Sequence, residues 1–555
     1  MVQKDNGIWA ISISGSMEIV MNIDQSIEMA LKNIAKHGDT DIFPFPIERH
    51  VFFDRMDQCK QFLLELHNNF SDFLSTYPPT TIVTLTQIGY TGFRWATQIE
   101  PFWNAYYLAL MIQLAEQIEL KRLSESEKIV FSYRYGWDDN DAKLFKDSTW
   151  KDYRTHSLNI SHDYEYVVTT DIADFYNRIN HHRIENALNR LPTCGDLPSR
   201  IMKLLNAFSK NVSYGLPIGG PASRILAELS LVLVDEHLFR RRILFTRYAD
   251  DYCIFCDSKA KAYELLVLIS EKLFNEGLIL QKNKTRILTT KEFREISGLL
   301  DPKIDNVDTG RITDEQKLLN ISIRFDPYSP TAEDDYEQLK AAVNEVDIVG
   351  ILGREVAKTG IDITISKQAI NAIRALDDFS RNGAIRTILN PQNLEVLAPV
   401  FVTIMRTIKG LYVELESVVQ DFIDNALTEI YDNYAHLLSV ELNLSYFIQA
   451  LSVKSTQRKE EILVEIFDRE PSPLIRRQII LIMANWKCYY WLSDIKQKYS
   501  GLGEWEKRAF IISSYILGDE GKHWRDNTKR SWTPMDSIVR DWYAAKFQQN
   551  RDIPI

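Results

Sequence analysis

Val167-Val168-Thr169-Thr170-Asp171-Ile172-Ala173-Asp174-Phe175-Tyr176 is the stretch whose reading decides the fold. Its run of β-branched residues is stiff at χ1 and suits a pleated, buried surface, so a strand is predicted that delivers Asp171 at its end. Further on, Tyr248-Ala249-Asp250-Asp251 stands between two strand-like runs, Ile243 to Arg247 and Tyr252 to Cys256. That arrangement predicts a hairpin with both aspartates at its tip. Between these segments lies Gly215-Leu216-Pro217-Ile218-Gly219-Gly220-Pro221-Ala222-Ser223, a glycine-rich loop leading into a helix. Pro221 suits the first helical turn, and Ile225, Leu226 and Leu229 supply an apolar face.

Each segment alone has an ordinary explanation. An aspartate at a strand end is usually a cap, and an Asp-Asp pair in a hairpin is usually turn chemistry. In this order and spacing, the three predict a carboxylate set for phosphoryl transfer with two divalent ions about 3.5–4 Å apart. Magnesium takes hard oxygen ligands and is held by one or two carboxylates plus substrate phosphates. Asp171 and Asp250 are expected to bridge the ions, with Asp251 as the auxiliary carboxylate. The glycine loop is expected to let backbone approach a nucleotide and a template base without side-chain obstruction.

The rest of the chain sets bounds on this reading. At 555 residues, 45% apolar and 25% charged, it is an ordinary globular composition with room for two or three domains. The start, Met1 to Ala10, does not read as a secretory signal, and Ala105 to Ala115 is about half a membrane span. A cytoplasmic protein with no membrane partner is expected. Five cysteines do not make a disulfide framework. Cys253 and Cys256 form a CxxC, but on a strand residues three apart face opposite ways, so buried core residues are expected rather than a zinc site. The net charge of −11 argues against a surface that grips a long duplex. A local basic cluster remains available in Arg240-Arg241-Arg242, Arg247, Lys282, Lys284 and Arg286.

Three regions are expected. Residues 1–120 show helical periodicity at Ile23 to Ile34 and Met56 to Phe73, then a buried helix over Trp103 to Leu120. Residues 121–325 mix strands and helices. Residues 326–555 read as helix after helix, and Leu474 to Ile480 and Trp505 to Ile511 look like copies of one unit, as in HEAT-like stacked helical pairs. The fold class is therefore α+β followed by an all-α domain, with a plain bundle as the alternative for the latter.

Residues 171–176, 215–223 and 248–251 resemble motifs A, B and C of reverse transcriptases, the last as their YxDD box. The resemblance covers roughly residues 130–300 and is strongest over 165–255. It implies a right-hand fingers and palm fold and an RNA-directed DNA polymerase using dNTPs. Asp171, Asp250, Asp251 and the Ile172 carbonyl are then the ligands for Mg²⁺, with Mn²⁺ as a substitute. Tyr176 stands where that family places a bulky gate against a ribose 2′-hydroxyl. Gly219 and Ser223 of motif B are expected beside the nucleotide. Gly277-Leu278-Ile279-Leu280 with Lys284 resembles motif D, which would bring Lys284 to the pyrophosphate. Ile296 to Leu299 is a faint motif E. The fingers segment offers Arg134, Lys143, Lys151 and Arg154 without the usual arrangement. Together with the helical C-terminal half, this resembles the bacterial antiphage reverse transcriptases of the abortive-infection and defence-associated groups. That likeness implies a DNA product made without a conventional template or from a protein hydroxyl, and a homo-oligomer. Two alternatives stay open: synthesis on a bound non-coding RNA, and a helical scaffold or toxin-like module with the palm as nucleotide sensor.

Overall fold

The computed structural model describes residues 4–5, 8–13, 16–192, 194–298, 313–321, 339–549 and 551–555. The chain divides into two units: residues 1–83 with 96–304, and residues 84–95 with 305–555. The division falls earlier than the expected 325/326 boundary, and it places a short N-terminal segment in the second unit.

In the first unit, helix α1 (Ile23–His37) packs on α2 (Pro101–Lys121), which is buried along most of its length. A helix that is apolar all round belongs in a core, and Pro101 starts it where a missing N–H costs nothing. The expected helical N-terminal region also contains a two-stranded sheet, Thr81–Ile88 with Gly92–Ile99, whose Thr84–Trp95 segment groups with the second unit. The run Thr-Ile-Val-Thr-Leu-Thr carries the β-branched residues that favour that choice.

The centre of the unit is a four-stranded antiparallel sheet of β1 (Tyr166–Asp171), β2 (Phe245–Tyr248), β3 (Asp251–Cys256) and β4 (Arg286–Thr289), in spatial order β4-β1-β3-β2. Val167, Cys253 and Phe255 enter one core with Tyr153, Leu158 and Phe293. Behind the sheet runs α3 (Pro221–Arg240), which begins at Pro221 as the sequence predicts. Cys253 and Cys256 are buried strand residues, and all five cysteines are free thiols. The faint motif E is not a strand: Ile296 lies in the helix Thr290–Gly298, and Leu299 falls outside the described residues.

The second unit is helical among its described residues, apart from the hairpin segment. Alternate helices pack in series: α4 (Phe401–Leu411) on α5 (Glu441–Leu451), that on α6 (Pro473–Asn485), then α7 (Glu504–Ser513) and α8 (Pro534–Gln548). Buried polar contacts join successive members. Gln478 donates to the Ser445 hydroxyl at 2.7 Å, Ser513 to the Ile480 carbonyl at 3.3 Å, and Arg508 to Asp536 at 3.0 Å. The two related segments of the sequence are α6 and α7, and the Arg477 guanidinium lies 4.8 Å from the centre of the Trp505 ring. No helix among the described residues is long and apolar enough to cross a membrane.

Candidate active site

Strand pairing brings the acidic residues together. Asp251 is the direct cross-strand partner of Asp171 on one side and of Tyr248 on the other. Residues opposite each other in an antiparallel pair share a face, with Cβ atoms about 4.5–5.5 Å apart. Asp250 sits in the turn just before β3, which follows Ala249 in the left-handed region at φ 52°. The Asp250 carbonyl accepts the Ile172 N–H at 3.2 Å, so the end of β1 is tied to the hairpin tip.

Electrostatics register this crowding. Burial, then the charges of Asp171 and Asp251, push the Asp250 carboxyl up to about 7. Burial and Asp171 push Asp251 to about 6. Carboxyls that raise one another in this way sit in a pocket short of positive charge.

One cation is supplied by the chain. Gln281 N–H donates to the Asp171 carbonyl at 2.7 Å, Ala173 N–H to the Ile279 carbonyl at 2.8 Å, and Ile172 bridges to Leu280. This stitching lays the 279–284 segment along the end of β1, and the Lys284 ammonium bonds the Asp171 carboxylate. As arranged, no three acidic, histidine or cysteine side chains among the described residues form a metal-holding group. The donor chemistry nonetheless fits a divalent ion: hard carboxylate oxygens, mutually repelling, with one ammonium against three carboxyls.

A second ionic cluster lies directly behind the hairpin and was not read from the sequence. Arg247 is fully buried. Its Nε and Nη2 bond Asp235 at 2.6–3.1 Å, Nη2 also bonds Glu228 at 2.9 Å, and Nη1 donates to the Ala249 carbonyl at 2.8 Å. Arg122 closes the set with a 2.7 Å bond to Glu228, and the Tyr252 hydroxyl donates to Asp235 at 3.2 Å. Arg247 therefore holds the hairpin turn from inside, which corrects its placement in an external basic groove.

Other expected residues are sorted by the structure. Tyr176 is half-buried on the single helical turn Phe175–Arg178, not on a strand, and its hydroxyl is held well above its ordinary value by burial and by Tyr133. Arg224 and Asp250 are among the charges that act on Tyr176. Arg224 was missed in the sequence; its guanidinium lies 5.1 Å from the centre of the Tyr133 ring and pairs with Asp41. Gly219 adopts φ 131°, and a Cβ there would come within 2.4 Å of the Thr40 hydroxyl. Its lack of a side chain is thus used to pack the loop on the Gly38–Ile42 segment. Ser223 is 1% exposed, in the first turn of α3.

Of the four fingers cations, Arg134 is buried and bonded to the Leu123 carbonyl and Glu119, and Lys143 pairs with Asp141. Arg154 is the one whose charge reaches Asp251, and its guanidinium lies 5.1 Å from the centre of the Phe293 ring. His181 braces the start of the glycine loop through a 2.7 Å bond between Nε2 and the Gly215 carbonyl.

With this geometry in place, the likenesses to known proteins are informative. Residues 112–319 match the family described as reverse transcriptase (RNA-dependent DNA polymerase), a stretch that contains Asp171, Tyr176, Arg224, Asp250, Asp251 and Lys284. The Retron Ec86 reverse transcriptase of Escherichia coli is 25% identical over 139 residues, which cover 24% of this chain and 42% of that protein. The chain therefore matches less than half of this relative's length. Telomerases of Candida albicans and Candida tropicalis, each solved with a TWJ fragment of telomeric RNA, are 12% and 10% identical. The likeness covers 65% and 70% of this chain, and 70% and 68% of theirs, with a TM-score of 0.29 in both cases, too low to carry an argument. Residues 112–319 are thus similar to reverse transcriptases.

Proposed function

We propose that the chain is a metal-dependent DNA polymerase that extends a 3′-hydroxyl with dNTPs at the Asp171, Asp250 and Asp251 site. The observation that carries this is the register pairing Asp171 with Asp251, with Asp250 in the adjoining turn and its carboxyl raised to about 7. Asp171, Asp250 and Asp251 would hold Mg²⁺ (or Mn²⁺), with the Ile172 carbonyl as a further oxygen. The bound ions would lower the cost of charge building on the attacking and leaving oxygens.

The chain's own groups do the rest. Arg247 fixes the hairpin turn that carries Asp250 and Asp251. Lys284, held beside Asp171 by the 279–284 segment, stands ready to exchange that carboxylate for a phosphate oxygen and to donate a proton to the departing pyrophosphate. Tyr176 excludes a ribose 2′-hydroxyl by bulk. Arg224, between Tyr133 and Asp41, is a cation suited to the triphosphate.

The biological setting we propose is antiphage defence. It rests on the combination of this domain with a serial stack of helices in the second unit, which we take as HEAT-like. A bound RNA template is the second reading, favoured by the match to a retron reverse transcriptase. Purified protein given labelled dNTPs and Mg²⁺ should form DNA, and Asp250→Asn with Asp251→Asn should abolish it. Undiminished synthesis by that double variant would remove the assignment. Nuclease treatment before the assay separates the readings, since loss of activity indicates a bound template.

A further inference from the structure

Residues 551–555 follow α8 and cross the ends of three stacked helices. The Arg551 N–H donates to the Lys546 carbonyl at 3.3 Å, which turns the chain back at the close of α8. Two residues on, Asn485, the last residue of α6, takes hold of the main chain at Ile553. Its Nδ2 donates to the Ile553 carbonyl at 2.8 Å, and its Oδ1 accepts the Ile553 N–H at 2.9 Å. The Ile555 main-chain oxygen accepts from the Lys409 ammonium at 2.7 Å, and Lys409 also donates to Gln449 Oε1 at 3.3 Å.

Lys409 and Gln449 each stand third from the C-terminal end of their helices, α4 and α5, so Lys409, Gln449 and Asn485 form one polar row along the stack. The row has a firm base. Helix α4 packs on α5 and α5 on α6, and the Trp486 indole N–H donates to the Ser452 carbonyl at 3.3 Å. Burial lowers the Lys409 ammonium to about 8, and no acidic side chain pairs with it among the described residues. A cation so placed needs main-chain oxygens or an anion beside it.

These contacts read a backbone rather than a sequence. A carboxamide offers one donor edge and one acceptor edge, the complement of the C=O and N–H of a single residue. Of the segment's side chains, Ile553 is taken into the interior, at 2% exposed, while Arg551 and Asp552 stay exposed. Pro554 has no N–H to satisfy and fixes its own φ. Main-chain bonds that give hold, with one pocket that gives choice, are how an extended peptide is recognised. One buried side chain and three main-chain bonds barely offset the ordering of five residues, which makes the segment easy to displace.

We propose that the row Lys409, Gln449 and Asn485 is a docking groove for an extended peptide of another protein, one carrying a branched aliphatic residue followed by proline, and that residues 551–555 hold it shut in cis. The seated segment is itself the pattern of the ligand: Asn485 takes one residue's N–H and C=O, the interior takes that residue's side chain, and Lys409 takes a main-chain oxygen two residues on. This inference goes beyond the polymerase reading and does not depend on it.

The test uses the full-length chain and a fluorescein-labelled peptide Arg-Asp-Ile-Pro-Ile, the sequence of residues 551–555, with binding read by anisotropy. Ile553→Asp should release the cis segment and raise affinity for the peptide roughly tenfold or more over the parent. Adding Asn485→Asp should reverse that gain by roughly tenfold, since a carboxylate repels the peptide carbonyl and donates nothing to it. Hydrogen exchange on the parent needs no substitution: excess unlabelled peptide should raise deuterium uptake in residues 551–555 and leave α8 unchanged. Uptake unmoved by saturating peptide would overturn the proposal. So would peptide binding that Asn485→Asp leaves within about twofold. Dimers on size exclusion that Ile553→Asp dissolves would also overturn it, because the groove would then belong to the same segment of a second copy.

Discussion

Two ionic clusters sit on either side of one hairpin turn, and they are built on opposite principles. Behind the turn, Arg247 and Arg122 face Asp235 and Glu228, two cations for two anions, with every contact short and water excluded. In front of it, Asp171, Asp250 and Asp251 face the Lys284 ammonium and the more distant charge of Arg154, three carboxyls against two cations. A buried balanced set is costly to break, because removing one member strands the others without water. An unbalanced one is poised to take up positive charge. The contrast separates a brace from a site using the same residue types.

Breaking the front cluster should have the largest effect. Asp250→Asn/Asp251→Asn should reduce nucleotide incorporation below detection while the fold, followed by circular dichroism, persists. Retained incorporation would mean that the imbalance has no catalytic meaning. Breaking the rear cluster should cost stability instead: Arg247→Met should destabilise the first unit by about 3–5 kcal/mol, read in a urea melt. A loss under about 1 kcal/mol would show that the balanced network is dispensable.

A smaller effect is expected at Tyr176. Tyr176→Val should raise ribonucleotide incorporation relative to deoxynucleotide by on the order of tenfold to a hundredfold, measured as a ratio of kcat/KM. An unchanged ratio would return Tyr176 to a packing role.

The smallest effect concerns acid and salt. The Asp250 and Asp251 carboxyls are raised to about 7 and about 6 from 3.8, so between pH 4 and 7 the folded state holds more protons than the unfolded one. Stability then falls as pH rises through that window. Asp250→Asn should raise the melting temperature of metal-free protein by a few degrees at pH 8, and the gain should vanish by pH 4. Mg²⁺ should stabilise the parent at pH 8 and do little for the variant. A gain that persists at pH 4 would place its cause outside this titration.

Much of the central sheet and of the helix behind it was legible because its signals are local. Val167 to Thr170 declare a strand by their branching, Pro221 declares a helix start, and two aspartates between strand runs declare a turn. What stayed hidden depends on partners far along the chain. Arg247 reads as surface until Asp235, Glu228 and Arg122 arrive to neutralise it. Arg224 gains meaning only beside Tyr133 and Asp41. The hairpin at 81–99 was readable in its β-branched run but lay between helices whose periodicity dominated the region. Within the second unit, the Arg477 and Arg508 contacts show why paired basic residues recur in apolar helices: each bridges to the next member of the stack.

The thiols have a practical consequence. Burial drives Cys59 and Cys488 up to about 12, and raises Cys253 and Cys256 as well. Cys194 stands half-exposed just ahead of the helix Leu197–Phe208. A maleimide dye at neutral pH should therefore attach at one address, giving the first unit a reporter without any engineered cysteine.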